Sequence, residues 1–151
     1  MGMVAPGPGT TQTPCMTTPP PPQPGRIGWV DLTVADAPAV RDFYAAVAGW
    51  TPQALSMGDY DDYVMLASDG TPHAGVCHAR GSNAGLPAQW LVYITVTDLT
   101  QRLHEVTARG GQVLSGPRNA GPSGRFAVIQ DPAGAVCALF EAASAPSSSD
   151  A

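Results

Sequence analysis

The feature that most constrains this chain is a repeat. The stretch Trp29-Val30-Asp31-Leu32-Thr33-Val34-Ala35-Asp36 returns as Leu91-Val92-Tyr93-Ile94-Thr95-Val96-Thr97-Asp98, with position 34 answering to 96 and 36 to 98, a constant shift of 62. The same shift lays Gly49 on Gly111 and Asp69 on Asp131. One folding unit therefore occurs twice. In each copy an alternating apolar strand runs into an Asp that caps a helix, a Gly ends the helix, and short strands follow. The predicted fold class is α+β: tandem βαβββ modules, about 27–80 and 89–141, within a single domain at 26–142.

Alternation along the first strand sends Val30, Leu32 and Val34 to one face and Trp29, Asp31 and Thr33 to the other. In the second copy Val92, Ile94 and Val96 oppose Leu91, Tyr93 and Thr95. The first helix carries Val40, Phe43, Tyr44 and Val47 as its inward stripe, and the second carries Leu99, Leu103 and Val106. Helices thus cover the valine faces and leave the other faces open. Thr51–Ser56, 63–67 and 74–79 read as the remaining strands of the first copy, with an acidic, solvated turn at 57–62. Gln112–Ser115, 125–130 and 135–141 complete the second, with a Gly/Pro-rich loop after Ser115 and a turn at Asp131-Pro132-Ala133-Gly134.

At 151 residues the chain is large enough for a core that needs no metal or disulfide staple. It has no lysine, which excludes Schiff-base chemistry and a Walker-type phosphate loop. A net charge of -5 and scattered arginines offer no basic stripe for nucleic acid. Cys15, Cys77 and Cys137 lack paired spacing, and the latter two lie in apolar strands, where they read as small buried hydrophobes. No apolar run of about 18 residues marks a membrane span, and the start does not resemble a signal peptide, so the chain reads as cytoplasmic with no membrane partner. Residues 1–25, culminating in Pro19-Pro20-Pro21-Pro22, read as a disordered Pro-rich tail, and 143–151 as a second disordered tail.

A strand ending Val-x-Asp, a helix with Phe-Tyr, a Gly-Trp break and a later Asp-Pro-x-Gly before a final apolar strand resemble the vicinal oxygen chelate superfamily. That superfamily includes glyoxalases, extradiol dioxygenases and bleomycin and fosfomycin resistance proteins. The resemblance spans nearly all of 27–141 and implies two modules forming a curved mixed sheet around a cleft, with the helices outside. Its metal-binding members place His or Gln at the start of each first strand and Glu or a similar ligand in each last strand. Carried over by motif, the opening positions are Trp29 and Leu91, and the closing position of the second copy is Ala138. For the first copy a constant shift selects Val76, whereas pairing Gly-Val-Cys of 75–77 with Ala-Val-Cys of 135–137 selects His78. At most one imidazole remains where a divalent ion needs three or four ligands, so no metal and no cofactor are expected.

The open face offers aromatic and apolar surface punctuated by a few polar groups, as small-molecule sites do. The expected ligand-binding residues are Trp29, Asp31, Thr33, His78, Trp90, Leu91, Tyr93, Arg125 and Phe140, with a small aromatic or amphipathic molecule as the partner. Trp90 reads equally well as core, and Asp31 as a solvated carboxylate or a partner of Arg125. A second reading is a metal-free isomerase, cyclase or lyase in which Asp31 and Tyr93 are catalytic, because desolvation raises a carboxylate's pKa and suits it to acid–base work. A third is a metal-dependent lyase or dioxygenase with ligands elsewhere. A homodimer is left open: members of the resembled family pair, yet both modules here share one chain.

Overall fold

A computed structural model describes residues 23–144; the remainder of both expected tails lies outside the described residues. Strand β1 (Ile27–Val34) leads to Asp36, whose carboxylate accepts the Ala39 N–H at 3.1 Å and starts helix α1 (Ala37–Ala48). Pro38 fits the first turn because its missing N–H would have no helical partner. Gly49 ends the helix at φ +70°, a left-handed turn that glycine takes without strain. Strands β2 (Thr51–Ser56), β3 (Asp61–Leu66) and β4 (Pro72–His78) complete the first unit. The second unit has the same order: β5 (Trp90–Thr95), α2 (Leu99–Ala108), β6 (Gln112–Asn119), β7 (Gly124–Gln130) and β8 (Val136–Ala142). Asp98 caps α2 through the Gln101 N–H at 3.1 Å. Glu141, reaching across from β8, takes the Leu99 N–H at 2.6 Å and satisfies a second free donor of that terminus.

All eight strands form one mixed sheet in the order β2-β3-β4-β1-β5-β8-β7-β6. The units meet at its centre, where β1 and β5 run antiparallel, with Trp29 opposite Tyr93 and Asp31 opposite Leu91. Each first strand is flanked on its other side by the last strand of its own unit, in parallel: β1 by β4 and β5 by β8. The helices cover one face. Under α1, Ala37, Met65, Ala74 and Val76 form a buried cluster against which Tyr44, Trp50 and Trp90 pack. Under α2, Leu99, Ala127, Ile129 and Leu139 do the same. On the opposite face of the second unit, Leu91, Val128 and Ala138 form a smaller cluster beside Tyr93 and Phe126.

Three details differ from the sequence-based expectation. Phe43 and Val47 are 56% and 62% exposed, so α1 faces inward through Ala37, Val40 and Tyr44 alone. Strand β6 continues through Gly116-Pro117 to Asn119 instead of stopping at Ser115. Proline removes a ladder donor, but β6 is a sheet edge and has no neighbour there to lose. Asp62 is not in a solvated turn; it is 6% exposed and accepts the His78 N–H at 2.9 Å.

Met65 is fully buried, so Met65→Ala should cost about 2–5 kcal/mol through lost contacts and a cavity. Phe43→Ser should change stability by no more than about 0.5 kcal/mol, because that ring is largely in water. Urea denaturation of both variants checks the pair. Equal losses would mean that α1 is rotated from the placement described.

Candidate functional site

The face left uncovered by the helices forms a cleft of about 850 Å³. Strict alternation along β1 delivers Trp29, Asp31 and Thr33 to it, and alternation along β5 delivers Tyr93 and Thr95. From β4 come Gly75 and Cys77, from β3 Asp62 and Val64, and from β7 and β8 Phe126 and Phe140. Of the residues expected from sequence, Trp29, Asp31, Thr33, Tyr93 and Phe140 line this cleft together. Leu91 lies on the same face but is 5% exposed, packed with Val128 and Ala138 beside the hollow.

Three expected residues are not there, and parity explains Trp90 and Arg125. Trp90 shares the parity of Val92 and Ile94, so it lies on the helix side, where its Nε1 donates to the Tyr44 hydroxyl at 3.1 Å and its ring packs edge-on against Trp50. Arg125 has the parity opposite to Phe126 and donates to Glu141 at 3.0 Å, near the start of α2. It is therefore not a partner of Asp31. His78 follows Val76 and Ala74 in parity; its Nδ1 is 3.3 Å from Asp62, and its ring meets Tyr60 edge-on.

The centre of the site is Asp31. Its carboxylate accepts the Trp29 indole N–H at 2.5 Å, and the Tyr93 hydroxyl acts on it from the neighbouring strand. Burial raises the Asp31 pKa above the ordinary carboxylate value, the hydrogen bond from Trp29 and the nearby Tyr93 hydroxyl hold it back, and the charge of Asp62 adds to the rise. The Tyr93 hydroxyl is pushed up, first by burial and then by Asp31, and remains a phenol at neutral pH. Burial, with Asp31 and Asp62 nearby, also pushes up the Cys77 thiol, which makes it a poor nucleophile. Gly75 is the register partner of Asp31, and a methyl group there would overlap the Asp31 carboxylate and touch the Trp29 indole. The missing side chain is what makes room for the acid.

The ligand positions implied by the family can now be placed. Ala138 is the register partner of Tyr93, and Gly75 is that of Asp31, the counterpart of Tyr93 in the first unit. The closing position of the first unit is thus Gly75, a shift of 138 − 75 = 63, and neither Val76 nor His78. Val76 is fully buried beneath α1. Trp29, Leu91, Gly75 and Ala138 supply no metal donor. Among the described residues no three His, Cys, Asp or Glu side chains converge where an ion could be held. The donor set does not fit a divalent ion.

Residues 26–139 match the Glyoxalase/Bleomycin resistance protein/Dioxygenase superfamily. The chain belongs to that superfamily. Among its relatives, the anthracycline biosynthesis protein DnrV of Streptomyces peucetius is 33% identical over 129 residues, covering 78% of this chain and 47% of that protein. A putative glyoxylase, CFP32, of Mycobacterium bovis is 32% identical over 128 residues, covering 78% of this chain and 46% of that protein. The chain therefore spans about half the length of these superfamily relatives. Streptomyces coelicolor methylmalonyl-CoA epimerase, in complex with 2-nitronate-propionyl-CoA, superposes with a TM-score of 0.52 at 16% identity, over 81% of this chain and 100% of that one. At that identity the likeness concerns the fold.

Sequence reasoning missed Gly75, Cys77, Asp62, Val64 and Phe126 as cleft residues. Parity would have found Phe126, which is two residues before the buried Val128 and in register with Phe140.

Because the fold favours the protonated Asp31 carboxyl, its stabilising contribution is complete below the unfolded-chain value of about 4 and is lost as pH rises through the raised native value. Asp31→Asn keeps an oxygen for the Trp29 N–H and cannot ionise. Its melting temperature should therefore exceed that of the wild type by a margin that widens as pH rises above the ordinary carboxylate range. Parallel melting curves for the two proteins would refute the raised pKa.

Proposed function

We propose that this superfamily member binds a small aromatic molecule in its cleft without a metal ion. The observation that carries the reading is the pairing of a hollow walled by Trp29, Tyr93, Phe126 and Phe140 with four family ligand positions that lack donor atoms. Aromatic walls present flat apolar area with little entropy to lose, and rings offset against them gain about 0.5–1.5 kcal/mol each beyond area burial. Asp31 and Thr33 supply the few polar contacts that orient a ligand. The name of the Streptomyces peucetius relative adds support, since an anthracycline is a polycyclic aromatic.

A second reading has its own observation. Asp31, with its raised pKa, interacts with a phenol that stays protonated, an arrangement suited to moving a proton on and off a bound carbon acid. In that case the chain is a metal-free isomerase, cyclase or lyase, and the same cleft holds the substrate.

Calorimetric titration with an anthracycline, using protein treated with a chelator, tests the first reading. Wild-type affinity should not change on chelator treatment. Trp29→Ala should weaken binding about three- to tenfold, the worth of one stacked ring. An affinity that disappears with the chelator, or that ignores the loss of Trp29, sinks the proposal. Asp31→Asn separates the readings: retained binding with lost conversion of the ligand makes the protein an enzyme, and retained binding with no conversion by either protein makes it a binder.

A further inference from the structure

Two threonines in the cleft answer to one another across the repeat. Thr33 on β1 and Thr95 on β5 are related by the shift of 62, and each stands two residues beyond a central residue of the site, Asp31 or Tyr93. Alternation brings both to the open face, where both line the hollow. Each is only 7% exposed, and neither hydroxyl has a hydrogen-bond partner among the described residues. Threonines at the surface are better supplied: Thr71 Oγ1 donates to Asp69 at 2.6 Å, and Thr107 Oγ1 to the Leu103 carbonyl at 3.0 Å. A pair of unpartnered hydroxyls so far from bulk water is unusual, because buried polar groups nearly always find a partner.

Both hydroxyls can be reached from the hollow. Among the described residues, the partnerless polar side-chain atoms that are closed off from solvent are Ser115 Oγ and Arg118 Nη1, and neither threonine is one of them. Thr33 pairs in register with Cys77, another cleft residue. Thr95 pairs with Phe140, and a Cβ at Gly28 would lie 3.4 Å from its Oγ1. Thr95 also borders a smaller hollow beside the start of α2, but Gly28 belongs to the cleft alone, which puts the Thr95 hydroxyl on the cleft side. The missing side chain at Gly28 leaves that hydroxyl uncovered, much as Gly75 makes room for Asp31.

The register fixes the distance between them. Leu32 faces Trp90, so Thr33 is level with position 89, and Thr95 lies six residues further along the chain. At about 3.3 Å per residue this is roughly 20 Å along the strands, with Asp31 and Tyr93 between the two hydroxyls. We propose that the cleft's ligand is an elongated aromatic molecule lying along β1 and β5, with an uncharged oxygen group at each end, and that Thr33 and Thr95 receive those two groups. The inference rests on the reading of the cleft as an aromatic-ligand site and adds the ligand's direction and its end groups. A hydroxyl both donates and accepts, so it fits an alcohol, phenol or ketone oxygen. An anionic group is disfavoured because Asp31 and Asp62 line the same hollow. A bare hydrocarbon that covers the threonines leaves both unpaired and binds less tightly for it.

Three fluorescent probes test this: 2,6-bis(hydroxymethyl)anthracene, 2-(hydroxymethyl)anthracene and 2-methylanthracene, which carry an alcohol at both ends, at one end and at neither. Fluorescence titration of the wild type should rank them in that order, the diol tightest. Thr33→Val and Thr95→Val exchange a hydroxyl for a methyl group of similar size. Each should weaken the diol about three- to tenfold and leave 2-methylanthracene within about twofold. The double variant should bind the diol no better than the hydrocarbon, whereas Thr33→Ser and Thr95→Ser should keep the diol's advantage. Equal losses for all three probes in a folded Val variant, or unchanged diol binding in both, would overturn the proposal. So would an advantage that survives both Val changes and ends in Asp31→Asn. Should a Val variant fail to fold, the wild-type ranking and the Ser variants decide in its place. Failure of the wild type to bind any probe would overturn the aromatic-site reading itself. Equal binding of all three would overturn this inference alone.

Discussion

The structure depends on the antiparallel pairing of β1 with β5 at the centre of the sheet. Because side chains alternate with a period of two, this one register decides at once which residues become core and which line the hollow. Val30 faces Val92 beneath the helices, and Trp29 faces Tyr93 in the cleft. A slip of one residue would bury Asp31 under a helix and put the valines in the hollow. The helices enforce the choice from the other side: α1 over Met65 and Val76, α2 over Ala127 and Leu139. Both helices lie on one face because each unit repeats the same handed connection, and the opposite face is left concave.

That logic also explains what was legible in the sequence. The doubled strand–helix order, both Asp caps and the faces of β1 and β5 follow from local chemistry and short periods, which a linear reading captures. Trp90 and Arg125 were chosen for their side-chain chemistry against their own parity, and parity prevailed because a sheet cannot turn one residue alone. Strand β6 was cut short at Gly116-Pro117 because those residues break interior strands, and its place at an edge is a tertiary fact. Asp62 looked like part of a solvated acidic run, but its neighbour across the ladder is β4, and that strand buries it. Gly75 escaped because the turns before β4 and β8 differ in length, so no single sequence shift aligns both.

The same local economy governs the site. Glycine within a strand costs roughly 0.5–1 kcal/mol in chain entropy relative to alanine. At position 75 the absent side chain admits the Asp31 carboxylate and the Trp29 indole, a pair that no bulkier residue would allow. The acid is then held partly buried, with one indole N–H and one phenol as company and another carboxylate near enough to be felt. In a metal-binding relative, a cation at the centre would pull such a pKa down. Trp29, Leu91, Gly75 and Ala138 at the ligand positions bring no side-chain metal donor, and burial is the largest influence on Asp31, offset in part by Trp29 and Tyr93.

On the proposed reading of the cleft as an aromatic-ligand site, proton occupancy is part of recognition. Asp31, Asp62 and Cys77 all line the cleft; the charge of Asp62 opposes ionisation of Asp31, and both carboxylates oppose ionisation of the Cys77 thiol. An aromatic molecule that enters and displaces solvent from that floor deepens the desolvation of Asp31 and adds no positive charge beside it. Its binding then favours the protonated acid over the carboxylate, and the two equilibria are linked by the same free energy. A proton-loaded Asp31 donates a hydrogen bond where the bare carboxylate only accepts one.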